Sequence, residues 1–355
     1  MCRPGLALTL LLAVLLPIAA CDSEGEDVIT AEVTVMSYNL YLGADIFDLV
    51  GIPNEEVPVV AAQLFGAVQA TDFPARAEAI ADLIEDADPD LIGLQEVSLY
   101  RTQTPADNLP GGAATPASDV AFDFLEILLD ALEARGLVYV VAAETENADV
   151  EVPSTTDGMN FTDIRLTDRD VILARQGVPT SNAVEANFNV FAPIPVGDSS
   201  IDFLRGYNSV EAEIDGVTFT FANSHLEVQI PNAPAQPQEG QALELLTALD
   251  NAERPVVLVG DFNSPADGSG TNSYNLLTDR YDDAFDGIGG ATCCQAADLL
   301  NDDSELETRI DLILTRGEAD VLSAEVIGEE EADKTDSGLW PSDHAGVVAT
   351  LELMD

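Results

Sequence analysis

From residue 31 to residue 40 the chain alternates. Val33, Val35 and Ser37 fall on one side and Thr34, Met36 and Tyr38 on the other, the period of two that a β-strand imposes. A long region with helical spacing follows. Over residues 75–85, Ala79, Ile80, Leu83 and Ile84 recur at i, i+1, i+4 and i+5, one face of an amphipathic helix. Asp88-Pro89-Asp90 stops that helix, because proline has no N–H to continue the ladder. Residues 91–96 then read as a short buried strand. Residues 101–118, rich in Pro, Gly, Thr and Ala, predict a surface excursion. A second helix is expected over 119–135, with Phe122, Leu125, Leu128, Leu129 and Leu132 apolar and Gly136 as its stop.

Strands dominate beyond that point. Residues 137–142, 170–174, 190–193, 209–214 and 217–223 have β character, and Asp215-Gly216 joins the last two as a tight hairpin turn. A third helix over 238–249 leads through Arg254-Pro255 into the apolar strand 256–259, and 310–314 and 345–351 supply two more strands. No linker or internal repeat interrupts the pattern after residue 30. Residues 31–355 therefore read as one domain of the α/β (α+β) class, with sheets covered by helices.

At 355 residues and 46% hydrophobic content the chain can bury a large core, which excludes disorder for most of it. Its charge is lopsided, with 65 acidic residues against 13 basic ones, a formal net charge of -52, and Lys334 as the single lysine. Such acidity reads as an adaptation to salty surroundings, in which carboxylates hold hydration and cations. It disfavours indiscriminate DNA binding, which draws its affinity from basic side chains on phosphates, unless arginines gather locally. Arg165, Arg169, Arg175 and Arg205 do fall within one stretch.

The N-terminus reads as a targeting segment: Arg3, an apolar run over residues 6–16, and Ile18-Ala19-Ala20 before Cys21. It is too short and poorly flanked for a stable membrane span. The Ile-Ala-Ala-Cys sequence resembles a bacterial lipoprotein signal. That resemblance implies that residues 1–20 are removed, that Cys21 is the lipid attachment point, and that residues 21–30 tether the protein at the cell envelope. An ordinary secretory signal cut nearby, giving a secreted protein, is the alternative. Beyond Cys21 only Cys293 and Cys294 remain, with no zinc-ligand spacing. A vicinal disulfide, two thiols or an intermolecular link all suit them, and they are given no catalytic role.

Two histidines occur in the whole chain, His225 in Asn223-Ser224-His225-Leu226 and His344 in Ser342-Asp343-His344. Imidazole ionises near neutrality, so this pair is the full complement for one general base and one general acid. Asn39, Glu96, Asp261 with Asn263, Asp311 and Asp343 also stand at the ends of expected strands. Taken singly, Asn39 or Asp311 reads as well as a turn cap. Together, oxygen donors plus two histidines point to phosphoester hydrolysis around a hard cation such as Mg²⁺.

Six segments carry a resemblance: Ser37-Tyr38-Asn39-Leu40, Leu94-Gln95-Glu96-Val97, Asn223-Ser224-His225-Leu226, Gly260-Asp261-Phe262-Asn263, Arg309-Ile310-Asp311-Leu312 and Ser342-Asp343-His344. In this order they resemble the endonuclease/exonuclease/phosphatase superfamily, which contains DNase I-like nucleases, neutral sphingomyelinases and inositol-phosphate phosphatases. The resemblance implies a DNase I-like, two-layer β-sandwich flanked by helices over residues 31–355. It implies Glu96 as metal ligand with Asn39 beside it, and His344 as the base, oriented by Asp311 or Asp343. Asp261 and Asn263 would position the nucleophile and contact the phosphoryl oxygens, and His225, as a cationic imidazole, would bind phosphate and protonate the leaving oxygen. Arg169 stands where the family often carries a substrate-side arginine. The accompanying tyrosine is missing there, with Tyr207 or Tyr41 to substitute.

The implied activity is that of a Mg²⁺-dependent phosphodiesterase, with Mn²⁺ or Ca²⁺ as other candidate ions. Its substrate would be a phospholipid, a small phosphodiester or nucleic acid. A secreted DNA endonuclease and a sphingomyelinase-like phospholipase C are the alternatives within the class; the lack of an obvious exposed aromatic hairpin argues against the second. A catalytically retired binding or adhesion module is the alternative outside it, disfavoured by retention of both histidines. No obligate protein partner is evident.

Overall fold

The computed structural model describes residues 1, 29–108, 115–230, 236–252 and 254–354, so the expected export signal, Cys21 and most of the tether lie outside it. Its elements in chain order are β1 (Thr30–Asn39), α1 (Val57–Ala70), α2 (Phe73–Ala87), β2 (Leu91–Gln95), β3 (Leu99–Gln103), β4 (Asp119–Asp123), α3 (Phe124–Ala134), β5 (Tyr139–Ser154), β6 (Thr162–Arg175) and β7 (Thr180–Asn187). There follow β8 (Pro193–Val196), β9 (Ser199–Asp202), β10 (Gly206–Ile214), β11 (Val217–His225), α4 (Pro237–Leu249), β12 (Val256–Asp261), α5 (Ser273–Thr278), β13 (Asp282–Asp283), β14 (Asp311–Arg316), β15 (Ala319–Ile327) and β16 (Gly346–Met354).

Two sheets face each other. One has eight strands in the order β15-β16-β1-β2-β6-β3-β4, with β5 also on β6, and the other six in the order β13-β14-β12-β11-β10-β7. Between them Val33, Val35 and Ile172 pack against Phe219, Phe221 and Val259. Helices close the outer faces: Ile80 and Leu128 cover Met36, Tyr38 and Leu94 on one side, and Leu245 and Leu249 cover Leu258 and Leu312 on the other. The expected two-layer sandwich flanked by helices is the observed architecture. It explains why β1 is buried on both faces although its sequence alternates: odd positions enter the space between the sheets, and even ones meet helices.

Several elements differ from the sequence reading. Residues 101–103 belong to β3 rather than to a surface excursion, and 119–123 form β4, its partner, rather than the start of a helix. The helix starts at Phe124, where the Asp123 carboxylate accepts from the Leu125 N–H at 3.2 Å and caps it. The strand expected at 190–193 is displaced to β8, hydrogen-bonded to β9. The sequence pattern does not single out α1, β7 or β15; β15 is largely exposed, so its side chains carry little burial signal. The Asp215-Gly216 turn stands as expected, with both residues at positive φ.

The sheets approach closely where β2 crosses β11 and β12. A β-carbon on Gly93 would lie 2.5 Å from Cγ2 of Val259 and 2.8 Å from Oδ1 of Asn223, neither of which has room to retreat inside a dry interface. Gly93→Ala is expected to lower stability by roughly 1–3 kcal/mol through overpacking, read as a shift in the urea midpoint. An unchanged midpoint would show that the sheets do not approach so closely.

Candidate active site

Strands β1 and β2 run parallel, as do β11 and β12, so their C-terminal ends meet at one rim. Along the same inward faces that build the core, the side chains turn polar there: Ser37 and Asn39 after Val35, Asn223 and His225 after Phe221, Asp261 after Val259. Asp311, opening the antiparallel β14, sits directly across from Asp261. The fold therefore gathers residues more than 200 positions apart. Asn39 Nδ2 donates to Asp261 Oδ2 at 3.1 Å, joining the two sheets. The same Asp261 oxygen lies 3.4 Å from Nε2 of His225 and 3.8 Å from Nε2 of His344. Nδ1 of His344 donates to Asp311 Oδ2 at 2.9 Å. Asn263 receives the second Asp261 oxygen on its backbone N–H at 2.8 Å and places Nδ2 3.1 Å from Nε2 of His225.

The loops bearing these groups are held from behind. Fully buried Arg76 of α2 donates from Nη1 to the carbonyls of Leu40, at 2.7 Å, and Pro341, at 2.9 Å, clasping the segment after Asn39 to the segment before His344. Ser342 Oγ donates to the Asn39 carbonyl at 2.7 Å and accepts from the His344 N–H at 3.2 Å. Glu96 occupies a left-handed backbone position, φ 56°, and its Oε2 accepts from the Leu42 N–H at 2.7 Å. Tyr41 and Asn263 are left-handed too, at φ 60° and 49°, so strained backbone concentrates at this rim.

Burial and crowding set the charges. Burial foremost, then the neighbouring Asp311 charge, pushes the Asp261 carboxyl up to about 7, despite the opposing pull of His344. Asp343 is pushed up to about 7, by burial first and in part by Glu96. Burial alone would lower His344, but Asp311, Asp261 and Asp343 together outweigh it and hold the imidazole well above its ordinary value. His225 goes the other way. Burial, then the charge of Arg205, holds it well below. Arg205 Nη1 donates into Nδ1 of His225 at 3.1 Å, so Nε2 carries the ring proton and points it toward Asp261. The expectation of a cationic His225 is thus corrected: the positive charge beside it belongs to Arg205.

The arginines do not gather as one patch. Arg165 pairs with Asp149, and Arg175 with Asp88 and the Pro89 carbonyl. Arg169 does not face the cluster as a substrate-side arginine. Its guanidinium is spent on the Val97 carbonyl at 2.8 Å, Asp123 at 2.6 Å and Glu144 at 3.6 Å, which braces the turn after Glu96. Tyr207 lies outside the cluster as well, its ring packed 5.8 Å from that of Phe188, and the Tyr41 hydroxyl is committed to the Ala297 carbonyl at 2.9 Å. The sequence reading missed Asp168, Arg205 as the partner of His225, and Arg76. Asp168 Oδ2 lies 3.9 Å from Arg205, and burial raises Asp168 to about 7 and its neighbour Asp170 well above the ordinary carboxylate range. Two acids at i and i+2 leading into the apolar run Val171-Ile172-Leu173 were the available signal.

The donor set fits a hard divalent cation. Glu96, Asp261, Asp311, Asp343 and Asn39 offer oxygens, the carboxyls of Asp261 and Asp343 are raised by burial first and then in part by the charges of Asp311 and Glu96, and Oδ1 of Asp311 is buried with no protein partner. Asp261, Asp311 and His344 each place a donor atom within 4.8 Å of the others. Such mutually repelling oxygens are what a hard cation neutralises.

Two facing sheets with outer helices, and an acid–imidazole–amide cluster at one rim, define the DNase I-like class of mixed α/β sandwich. Residues 36–344 match the model of the Endonuclease/Exonuclease/phosphatase family, and the chain belongs to that family. Among solved structures it resembles an endonuclease/exonuclease/phosphatase family protein from Bacteroides thetaiotaomicron (17% identity over 91% of this chain and 96% of that one, TM-score 0.55). It also resembles a mannosyl-6-phosphatase of the same organism (18%, 90% and 99%, TM-score 0.53) and D. rerio TDP2 complexed with single strand DNA product (16%, 90% and 98%, TM-score 0.50). At these identities the likeness shows the fold. A search of curated proteins gave no match.

The electrostatics predict a pH dependence. Asp168, Asp261 and Asp343 titrate near 7 when folded against about 3.9 when unfolded. The folded chain therefore binds more protons in between, and this contribution to stability is present at low pH and lost as pH rises through about 7. His344, raised, has the same sign; His225, lowered, opposes it alone. In EDTA the melting temperature is expected to be higher near pH 5.5 than near pH 8, with added Mg²⁺ raising it more at the higher pH. Differential scanning fluorimetry reads both, and a melting point that climbs with pH in EDTA would contradict the buried-carboxylate account.

Proposed function

We propose that this protein is a divalent-cation-dependent phosphodiesterase in which His344 takes the proton of the attacking water. The observation that carries the reading is the Asp311–His344 hydrogen bond at 2.9 Å, beside an Asp261 carboxylate within reach of both imidazoles. Asp311 holds Nδ1–H; with the surrounding carboxylates neutralised by a bound cation, which would relieve the upward pull on this imidazole, Nε2 would give up its proton and act as base. Asp261 orients the water, Asn39 orients Asp261, and Asn263 faces the phosphoryl oxygens. Nε2–H of His225 and the Arg205 charge behind it stabilise the leaving oxygen. Glu96 and Asn39 would hold the cation, Mg²⁺ foremost and Mn²⁺ or Ca²⁺ otherwise, which when bound withdraws charge from the phosphoryl group. Export and tethering through Cys21 remain part of this proposal, supported by the N-terminal sequence.

For the substrate we infer a phosphodiester with an apolar portion, in preference to duplex DNA. A groove of about 470 Å³ lined by Phe47, Val50, Ile194, Val228 and Ile230 lies between β8 and the segments that follow β1 and β11, the strands whose ends carry Asn39 and His225. Phe47 and Val50 are 43% and 38% exposed and also line a largely apolar neighbouring cavity. A buried methylene is worth about 0.8 kcal/mol, so even a short acyl segment seated there is discriminated. The dispersed arginines and the net charge of -52 weigh against a polyanion.

His344→Ala is expected to lower turnover of bis-p-nitrophenyl phosphate by at least about a hundredfold with the fold intact by circular dichroism, and Glu96→Gln to raise the Mg²⁺ concentration needed for half-maximal rate. EDTA is expected to abolish the wild-type rate. Activity of the His344 variant within tenfold of the parent contradicts its role, and inactivity of the parent on every phosphoester, with Mg²⁺ or Mn²⁺ in high salt, favours a retired binding module. Phe47→Ser with Val50→Ser should raise KM for sphingomyelin or another long-chain phosphodiester about tenfold while leaving bis-p-nitrophenyl phosphate unaffected; faster cleavage of plasmid DNA than of any lipid would overturn the substrate inference.

A further inference from the structure

Cys293 and Cys294 are joined as a vicinal disulfide at the edge of this site. Sγ of Cys294 stands 4.0 Å from Nε2 of His344, the nitrogen assigned to proton abstraction. Both sulfurs and a ring nitrogen of His344 lie within 4.8 Å of one another. We propose that, once reduced, Cys293 and Cys294 complete with Nε2 of His344 a three-donor site for a soft divalent cation, Zn²⁺ or Cd²⁺, whose binding takes the imidazole out of service.

Donor chemistry separates this site from the oxygen cluster beside it. Thiolate and imidazole select Zn²⁺ and its heavier congener over Mg²⁺, which prefers carboxyl and water oxygens. Metal–sulfur and metal–nitrogen bonds of about 2.3 and 2.0–2.1 Å at a tetrahedral angle separate sulfur from nitrogen by about 3.6 Å. The observed 4.0 Å needs to close by only a few tenths. Access is open as well. Cys294 is exposed and Cys293 half-buried, and both line a cleft of about 720 Å³ with Ser304, Glu305, Glu307 and Thr308.

Backbone hydrogen bonds that do not involve the sulfurs also tie this segment to the site. Cys293 N–H donates to the Thr308 carbonyl at 2.9 Å, Gln295 N–H to the Asp343 carbonyl at 2.8 Å, and Ala345 N–H to the Thr292 carbonyl at 2.8 Å. The Thr292 hydroxyl in turn accepts from the N–H groups of Ile310 and Asp311. The cysteine segment is thus laced to both sides of the Asp311–His344 pair.

Reduction takes a small dithiol. Its thiolate attacks the exposed Cys294 sulfur and breaks the Cys293–Cys294 bond, leaving a mixed disulfide; its second thiol then displaces Cys294. Two electrons and two protons pass to the cysteines, and the reagent leaves as a cyclic disulfide. Metal binding afterwards releases the two thiol protons and the proton on Nε2 of His344.

The binding site stands independently of the proposed catalysis, and only the loss of rate rests on it. Full-length chain, oxidised or pre-reduced with dithiothreitol that is then removed, is titrated with Cd²⁺ in Mg²⁺ buffer. Near-ultraviolet thiolate-to-metal absorption and the rate on bis-p-nitrophenyl phosphate are followed together. One Cd²⁺ per reduced chain is expected, with the rate falling at least tenfold and recovering on chelation. The oxidised chain, which needs no substitution, and the Cys293→Ser/Cys294→Ser chain should show neither effect. An absorption band with no fall in rate supports the site and counts against His344 as base. No band in the reduced chain, or equal Cd²⁺ binding by the serine variant, overturns the site.

Discussion

Polar side chains must be buried at one end of an otherwise apolar space between two sheets, and that constraint organises the molecule. The inward faces of β1, β2, β11 and β12 are continuous, apolar below and polar at the rim, and water is largely excluded from both parts. Each rim group therefore needs a protein partner. Gln95 donates to Asn223 at 2.7 Å and to Ser37 at 3.2 Å, and Asn223 donates to the Leu94 carbonyl at 3.1 Å. The two bonds of Asn223 cross from one sheet to the other and the Gln95–Ser37 bond ties β2 to β1, so the layer beneath the site is specified by hydrogen bonding as well as by packing.

Above that layer the satisfaction is deliberately incomplete. Asp168, Asp170, Asp261 and Asp343 are all raised, by burial first, and oxygens of Asp168, Asp170 and Asp311 are buried without a partner. Uncompensated buried carboxylate is costly to a fold, and its concentration around two imidazoles shifted in opposite directions is where stability is traded for chemistry. The rim can sustain this because the surrounding frame is rigid. Arg76, whose burial lowers its pKa to about 10, replaces water for four backbone carbonyls and locks two rim loops to α2.

The cluster is also composite. Asn39 and Glu96 come from the eight-stranded sheet and the turn after it, and His344 from the loop entering β16; His225, Asp261 and Asp311 come from the six-stranded sheet, with Asn263 just beyond. Neither sheet alone holds a usable set. The Asn39–Asp261 bond is the point at which the two halves become one site.

Much of this was legible in the sequence. Period-two alternation located β1, β character and the Asp-Gly turn located β10 and β11, and an apolar run located β12, with β14, β16 and α4 also expected; amphipathic spacing located α2 and α3, because burial acts directly on side-chain polarity. The six motif segments identified most of the residues that converge, since a polar cluster ending an apolar strand is conspicuous in one dimension. Pairing was not. That Asp311 rather than Asp343 receives the His344 proton, that Arg205 rather than Arg169 stands at the second imidazole, and that Cys294 reaches His344 at all depend on sheet register and loop path. Sequence determined which residues are inward and polar. Only the tertiary structure decided which of them touch, because contact between residues hundreds of positions apart, and the desolvation that sets their charges, exist only once the two sheets have closed.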